Sequence, residues 1–196
     1  MPKKMNWIIA ASLSLCLFGV SSADARYRSK AAAGPISIER GHRLAPTTWI
    51  STTTAMPNTK VLVTKHAVSN YWRGAAHPVH GYMTENTNLM TGKKIRLRDL
   101  FKPNSRYTRT ISQNAVKALK RELGPGADAS WIKDGAGANL KNFESFAITR
   151  KGLELNFSSY QVACYAAGTP SVVVPWKALK SKVRHDSPIW SMIKND

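Results

Sequence analysis

Apolar and polar residues change rhythm several times along this chain, and each rhythm predicts an element. Ile36 and Ile38 alternate with Ser37 and Glu39, which predicts a strand within Ile36 to Leu44. Residues 46–57 are threonine-rich and bounded by Pro46 and Pro57, a composition that suits an edge strand or an extended arm. Lys60 to Trp72 places Val61 and Val63 on one face, and Gly81 to Leu89 follows as its hairpin partner. Lys93 to Leu100 alternates cleanly, with Ile95 and Leu97 against Lys94, Arg96 and Arg98.

The period then changes to that of a helix over Ser105 to Leu123, with Asn104 or Ser105 as its cap and Gly124-Pro125 as its stop. Tyr107, Ile111, Ala115, Leu119 and Leu123 fall four apart and form the buried stripe. Arg106, Arg109, Gln113, Lys117 and Lys120 form the outer stripe, unusual in carrying one sign of charge. Residues 124–140 read as a mobile loop or a short helix. Ser145 to Thr149 and Leu153 to Phe157 read as strands joined by a tight turn at Arg150-Lys151-Gly152. Ser171 to Val174 reads as a buried strand, and Pro175 opens a last helix over Trp176 to Val183. Gly152 and Gly168 are expected in turns at positive φ, and residues 184–196 as a tail. The expected fold class is α+β, a mixed or antiparallel sheet packed against one long amphipathic helix.

The first 25 residues have the layout of a secretory signal. Lys3 and Lys4 precede an apolar run from Trp7 to Val20, too short to span a bilayer comfortably, and Ala23-Asp24-Ala25 fits a cleavage site after Ala25. Cys16 is not a lipidation site, because Leu15 before it is too large and Leu17-Phe18 continue the apolar run. No later stretch is long enough to span a membrane. The expected locale is therefore periplasmic or secreted. Residues 26–59 form an N-terminal extension or edge strands, 60–183 the main domain, and 184–196 the tail. Removal of the signal leaves a single cysteine, Cys164, and so no internal disulfide.

Charge narrows the partners. The chain carries 29 Lys and Arg against 11 Asp and Glu, a net +18 at pH 7. Such a balance favours an anionic polymer or surface. Nucleic acid is disfavoured by the compartment and by the lack of an RNP-type strand, zinc-finger spacing or basic zipper.

Catalytic constellations are missing. His77 and His80 form an H-x-x-H, but zinc needs a third ligand, and only Glu85 and His66 lie near in sequence. His77 reads better as a loop imidazole bonded to the Gly/Ala turn. Cys164 lies among Val162, Ala163 and Ala166 and reads as a small buried thiol. Ser158-Ser159 lacks a nucleophile elbow, and no paired carboxylates suit glycoside hydrolysis. No cofactor is expected. Tyr160 and Tyr165 either pack in the core, the favoured reading, or line a groove that stacks on sugar rings. Trp72 and Trp176 are candidate exposed aromatics for glycan contact.

Taken in order, the loop Tyr71 to Pro78, the turn Thr91-Gly92-Lys93, the runs LRDLF at 97–101, FAITRKGLELNF at 146–157 and YQVACYAAG at 160–168, and VPWKAL at 174–179 resemble one family. It is the domain of unknown function shared by the RsiV anti-sigma factor and the peptidoglycan deacetylase PdaC, and the resemblance covers roughly residues 60–183. It implies an α+β domain in the cell envelope whose role is binding rather than catalysis. Cys164 stands where the family often has proline, and Gly74-Ala75-Ala76 where Gly-Gly-Ala is common. The lysozyme recognition of RsiV does not carry over, because a basic surface repels a basic partner.

The expected function is that of an exported, non-enzymatic envelope protein that binds an anionic wall component such as peptidoglycan. Arg96, Arg98, Arg109, Lys117 and Lys120 would supply the field, and Trp72, His77, Tyr160 and Tyr165 the shape. The alternative is a protein-binding module, an inhibitor or sensor partner of a wall-active enzyme. A cryptic hydrolase is the third class, with no constellation to support it.

Overall fold

In the computed structural model, the residues described are 49–55 (as backbone), 60–71 and 74–195. The expected signal peptide, the strand near Ile36 and Trp72 lie outside them. Two antiparallel sheets form. The first has the order β1-β2-β3-β4: β1 Trp49–Ala55, β2 Val61–Asn70, β3 Val79–Asn88 and β4 Lys93–Lys94. The second has the order β5-β6-β7: β5 Phe146–Ile148, β6 Gly152–Asn156 and β7 Ser171–Pro175. The threonine-rich β1 is the edge strand, in register with β2 from Trp49↔Val68 to Ala55↔Leu62. Strands β2 and β3 form the long hairpin, from Val61↔Asn88 to Asn70↔Val79.

The alternation over 93–100 does not continue as a strand. Ile95 and Leu97 are buried as the pattern requires, but the register with β3 covers only Lys93 and Lys94, and the last backbone bond to β3 is the Ile95 N–H to the Asn86 carbonyl. The Asp99 carboxylate accepts the Arg96 N–H at 2.9 Å and also its guanidinium. That N–H is lost to any further ladder, and the chain turns into a 3₁₀ segment at Leu97–Leu100.

Helix α1, Tyr107–Leu123, is the longest described helix. Its Ile111, Ala115 and Leu119 are fully buried. They belong to one apolar cluster with Leu153, Leu155, Val172 and Val174 of the second sheet. Neither Asn104 nor Ser105 caps it. Arg106 holds the cap position in a left-handed conformation (φ 53°) without a side-chain cap bond, so packing rather than capping holds this end. Gly124 (φ 81°) ends the helix as expected. The 124–140 region contains a short helix, α2, at Ala129–Gly135.

Three further expectations need correction. Strand β7 is not buried on both faces: Val172 and Val174 turn into the core, while Val173 is exposed opposite Glu154. Gly152 does not have positive φ; it is needed because a Cβ there would meet the Val174 carbonyl. Residues 184–195 do not trail away. After α3 (Trp176–Leu179), the Arg184 N–H donates to the Leu100 carbonyl, and Ile189 and Ile193 of the α4 region (Trp190–Ile193) are fully buried.

The sheets are joined through Asn86 of β3, whose side chain is buried. Its Nδ2 donates to the Phe146 carbonyl at 2.8 Å, and its Oδ1 accepts from the Ile148 N–H at 2.9 Å. One amide thereby completes the outer edge of β5. Ser145 Oγ donates to the Tyr82 carbonyl beside it, and Lys65 Nζ reaches Glu154 at 2.6 Å.

Two outcomes test this architecture. Asn86→Ala strands a buried carbonyl and a buried N–H, and urea unfolding should show a loss of roughly 2–4 kcal/mol; a loss below about 0.5 kcal/mol would mean the amide does not join the sheets. Asp99→Asn tests the turn. The Arg96 guanidinium holds the Asp99 carboxyl below the usual carboxylate range. Its contribution is therefore present above the unfolded value near ~3.9 and is lost as pH falls through the folded one. The urea midpoint of Asp99→Asn should lie slightly below that of the unsubstituted protein at pH 7, with the gap closing in acid. A gap that widens in acid would contradict the assignment.

Candidate functional site

The candidate residues fall into two sets. The first is aromatic and is assembled from the loop before β3 and the segment after β6. His77 stacks on Tyr165 with ring centroids 3.7 Å apart and planes 24° apart. Tyr160 lies 5.8 Å from His77 at 22°, and its hydroxyl is 2.9 Å from His77 Nε2. His80 adds a tilted ring 6.1 Å from Tyr165. His77 Nδ1 lies 3.2 Å from the Pro78 carbonyl, which can only accept. In the neutral ring Nδ1 therefore carries the proton, and Nε2 accepts from the Tyr160 hydroxyl.

Expectation and structure differ here. Tyr160 and Tyr165 are not core residues: Tyr160 is 38% exposed and Tyr165 half-buried. Cys164 is exposed rather than buried, because it precedes a 3₁₀ turn at Tyr165–Ala167 that lies on the surface. Trp176 is buried instead, its indole N–H donating to the Thr149 carbonyl at 2.8 Å, which removes it as a glycan contact. Among the described residues, no group of three His, Cys, Asp or Glu is placed to hold a metal ion.

Supports for the tyrosines come from residues that the sequence did not single out. Tyr160 has φ 67°, left-handed backbone that costs a non-glycine residue on the order of 1 kcal/mol. The Trp131 indole N–H of α2 donates to the Tyr160 carbonyl at 2.9 Å. Trp131 is itself set by the start of α2, where the Asp128 carboxylate accepts from Ser130 and from the Trp131 N–H. The Ser130 hydroxyl bond and those two N–H bonds hold the Asp128 carboxyl below its usual range. Gln161 donates to the carbonyls of Gly135 and Asn142 and accepts from the Ser158 N–H. Helix α2 presses so closely here that a Cβ on Gly135 would overlap the Gln161 carbonyl. The Ser159 N–H donates to the His80 carbonyl at 2.9 Å, which ties the segment to β3.

The second set is basic. Arg109, Lys117 and Lys120 are exposed on the outer face of α1, as expected, and no carboxylate pairs with them among the described residues. Arg98 is exposed on the turn before α1. Arg96 is committed to Asp99 at 2.9 Å, so part of its charge is neutralised locally.

The comparisons fit this geometry. Residues 98–177 match the model of a family described as a protein of unknown function, DUF3298. The match runs from Arg98 through α1, α2 and the second sheet to Lys177, and leaves His77 and the first sheet outside. A stretch of 107 residues, 55% of the chain, is 31% identical to the peptidoglycan-N-acetylmuramic acid deacetylase PdaC of Bacillus subtilis (strain 168) and spans only 23% of that protein. A solved member of the DUF3298 family from Bacteroides fragilis NCTC 9343 superposes with a TM-score of 0.56 at 16% identity, covering 88% of this chain and 66% of that one. A DUF3298 family protein from Pseudomonas aeruginosa PAO1 gives a TM-score of 0.54 at 18% identity, covering 69% and 62%. The α+β class is thus shared with solved structures, and residues 98–177 match the DUF3298 family model.

Proposed function

We propose that this protein is an exported, non-catalytic component of the cell envelope that binds an anionic wall polymer, peptidoglycan being the leading candidate. The observation that carries the reading is the unpaired basic face of α1. Arg109, Lys117 and Lys120 lie exposed on it, while the carboxylates of Glu85, Asp99, Glu154 and Asp186 are taken by Lys94, Arg96, Lys65 and Arg184. Ordinary surface helices offset lysines with glutamates four residues away. A face left cationic, on a chain of net +18, is repelled by itself and stabilised by a polyanion. The named substrate of PdaC is peptidoglycan, and this supports the envelope as the setting. A non-catalytic role agrees with what the site offers. His77 is engaged by Tyr160 and Pro78.

Co-sedimentation with purified peptidoglycan across a salt series tests the proposal. Pelleting should be strong at low salt and fall steeply as ionic strength rises, because each Lys or Arg contact is screened. Arg109→Glu, Lys117→Glu and Lys120→Glu together should abolish pelleting with little change in the urea midpoint, since all three side chains are exposed. Unchanged pelleting by the triple variant would sink the basic-face reading. Failure of the unsubstituted protein to pellet at low salt would turn attention to an acidic envelope protein as partner.

A further inference from the structure

The aromatic cluster is expensive in a way that folding does not explain. Tyr160 sits in left-handed backbone that glycine adopts freely. A large side chain is tolerated there if it buries well, yet this one is 38% exposed. Its conformation is also enforced from outside, by the Trp131 indole on its carbonyl and by the Gln161 clamp beside it. Strain that is enforced by its surroundings and returned as little burial characterises a side chain positioned for a ligand.

We infer that His77, Tyr165 and Tyr160 form a carbohydrate platform that takes a pyranose unit of an envelope glycan strand; the choice of ligand rests on the envelope reading above. Three features fit a sugar. His77 and Tyr165 stack face to face and Tyr160 stands at the edge of the pair, with planes 22–33° apart, so the outer ring faces of the stack are what it offers to the C–H face of a pyranose. The Tyr160 hydroxyl and the His77 ring nitrogen lie at the same place and can exchange their mutual bond for sugar hydroxyls. The chain beside the rings is small: Gly74 and Ala76 before His77, and Ala166, Ala167 and Gly168 after Tyr165, are exposed. This contact contains no Lys or Arg, so it differs in kind from the basic face of α1 and supplies shape where that face supplies field.

A neutral probe separates the two. Titration of the full chain with the β-1,4-linked tetramer of N-acetylglucosamine, followed by calorimetry or NMR, should show binding that changes little with salt. Tyr160→Gly and Tyr165→Leu should each weaken it roughly tenfold or more. The triple charge reversal on α1 should leave it intact. Tyr160→Gly should keep or raise the urea midpoint, because glycine relieves the strained φ. No binding of the tetramer by the unsubstituted protein, or undiminished binding by Tyr160→Gly, would overturn the platform. A lowered urea midpoint for Tyr160→Gly would do so as well, by showing that the fold needs the ring. Salt-sensitive pelleting with peptidoglycan but no tetramer binding would remove the platform and leave the basic face standing. Tetramer binding by a protein that does not pellet would do the reverse.

Discussion

The buried amide of Asn86 is the contact on which the rest of this architecture depends. Among the described residues no ladder joins the two small sheets: β5 pairs with β6, and β3 pairs with β2 along its length and with β4 at Thr87 and Asn88. Asn86 supplies one donor and one acceptor at the spacing that a neighbouring strand would offer, and gives both to β5. The cost of desolvating a primary amide is met only if both of its ends are bonded, so the interaction fixes register as well as proximity. Everything that builds the aromatic cluster lies downstream of this register. Ser159 bonds His80 of the first sheet, while Tyr160 hangs from α2 and the end of the second sheet. A slip between the sheets would separate His77 from Tyr165.

The periodic parts of the fold are legible in the sequence. The four-residue spacing of Ile111, Ala115 and Leu119 marks the buried face of α1, and the alternation of Val61 and Val63 marks β2, because burial of a stripe is a property of neighbours along the chain. Legibility ends where a side chain competes with the backbone. Asp99 is a strand residue by pattern and a turn-former in fact, since its carboxylate captures the Arg96 N–H. Ser105 and Asn104 have the chemistry of caps and cap nothing; Arg106, with poor credentials, takes the position. Residues 184–195 look like a tail because Ile189 and Ile193 are too few to show a period, yet both find the core. The inter-sheet role of Asn86 carries only a faint signal, a polar residue in the inward phase of a strand.

The candidate site divides along the same line. The basic stripe on α1 follows from helical spacing alone, and the exposed side chains lie where that spacing places them. The aromatic cluster does not follow from spacing, because His77 and Tyr160 are 83 positions apart. Neighbouring residues favour a core for Tyr160 and Tyr165, and Trp176 is a candidate for the surface. The structure differs, since Trp176 has the Thr149 carbonyl to satisfy its indole in the core, whereas Tyr160 is exposed and Tyr165 half-buried.

That difference bears on what the molecule can recognise. A helix face of mutually repelling like charges is adaptable: long lysine and arginine side chains follow a polymer and lose entropy in doing so. Rings fixed by stacking, by a clamped backbone and by a hydrogen bond have already lost that freedom, so binding to them costs little further ordering. A surface of the first kind alone would hold any polyanion. Rigid rings beside glycine and alanine admit only what is flat and fits. Under the proposed function the two surfaces would divide attraction from selection, and α2 is the element on which selection would depend, since Asp128, Trp131 and Gly135 together hold Tyr160 in left-handed backbone.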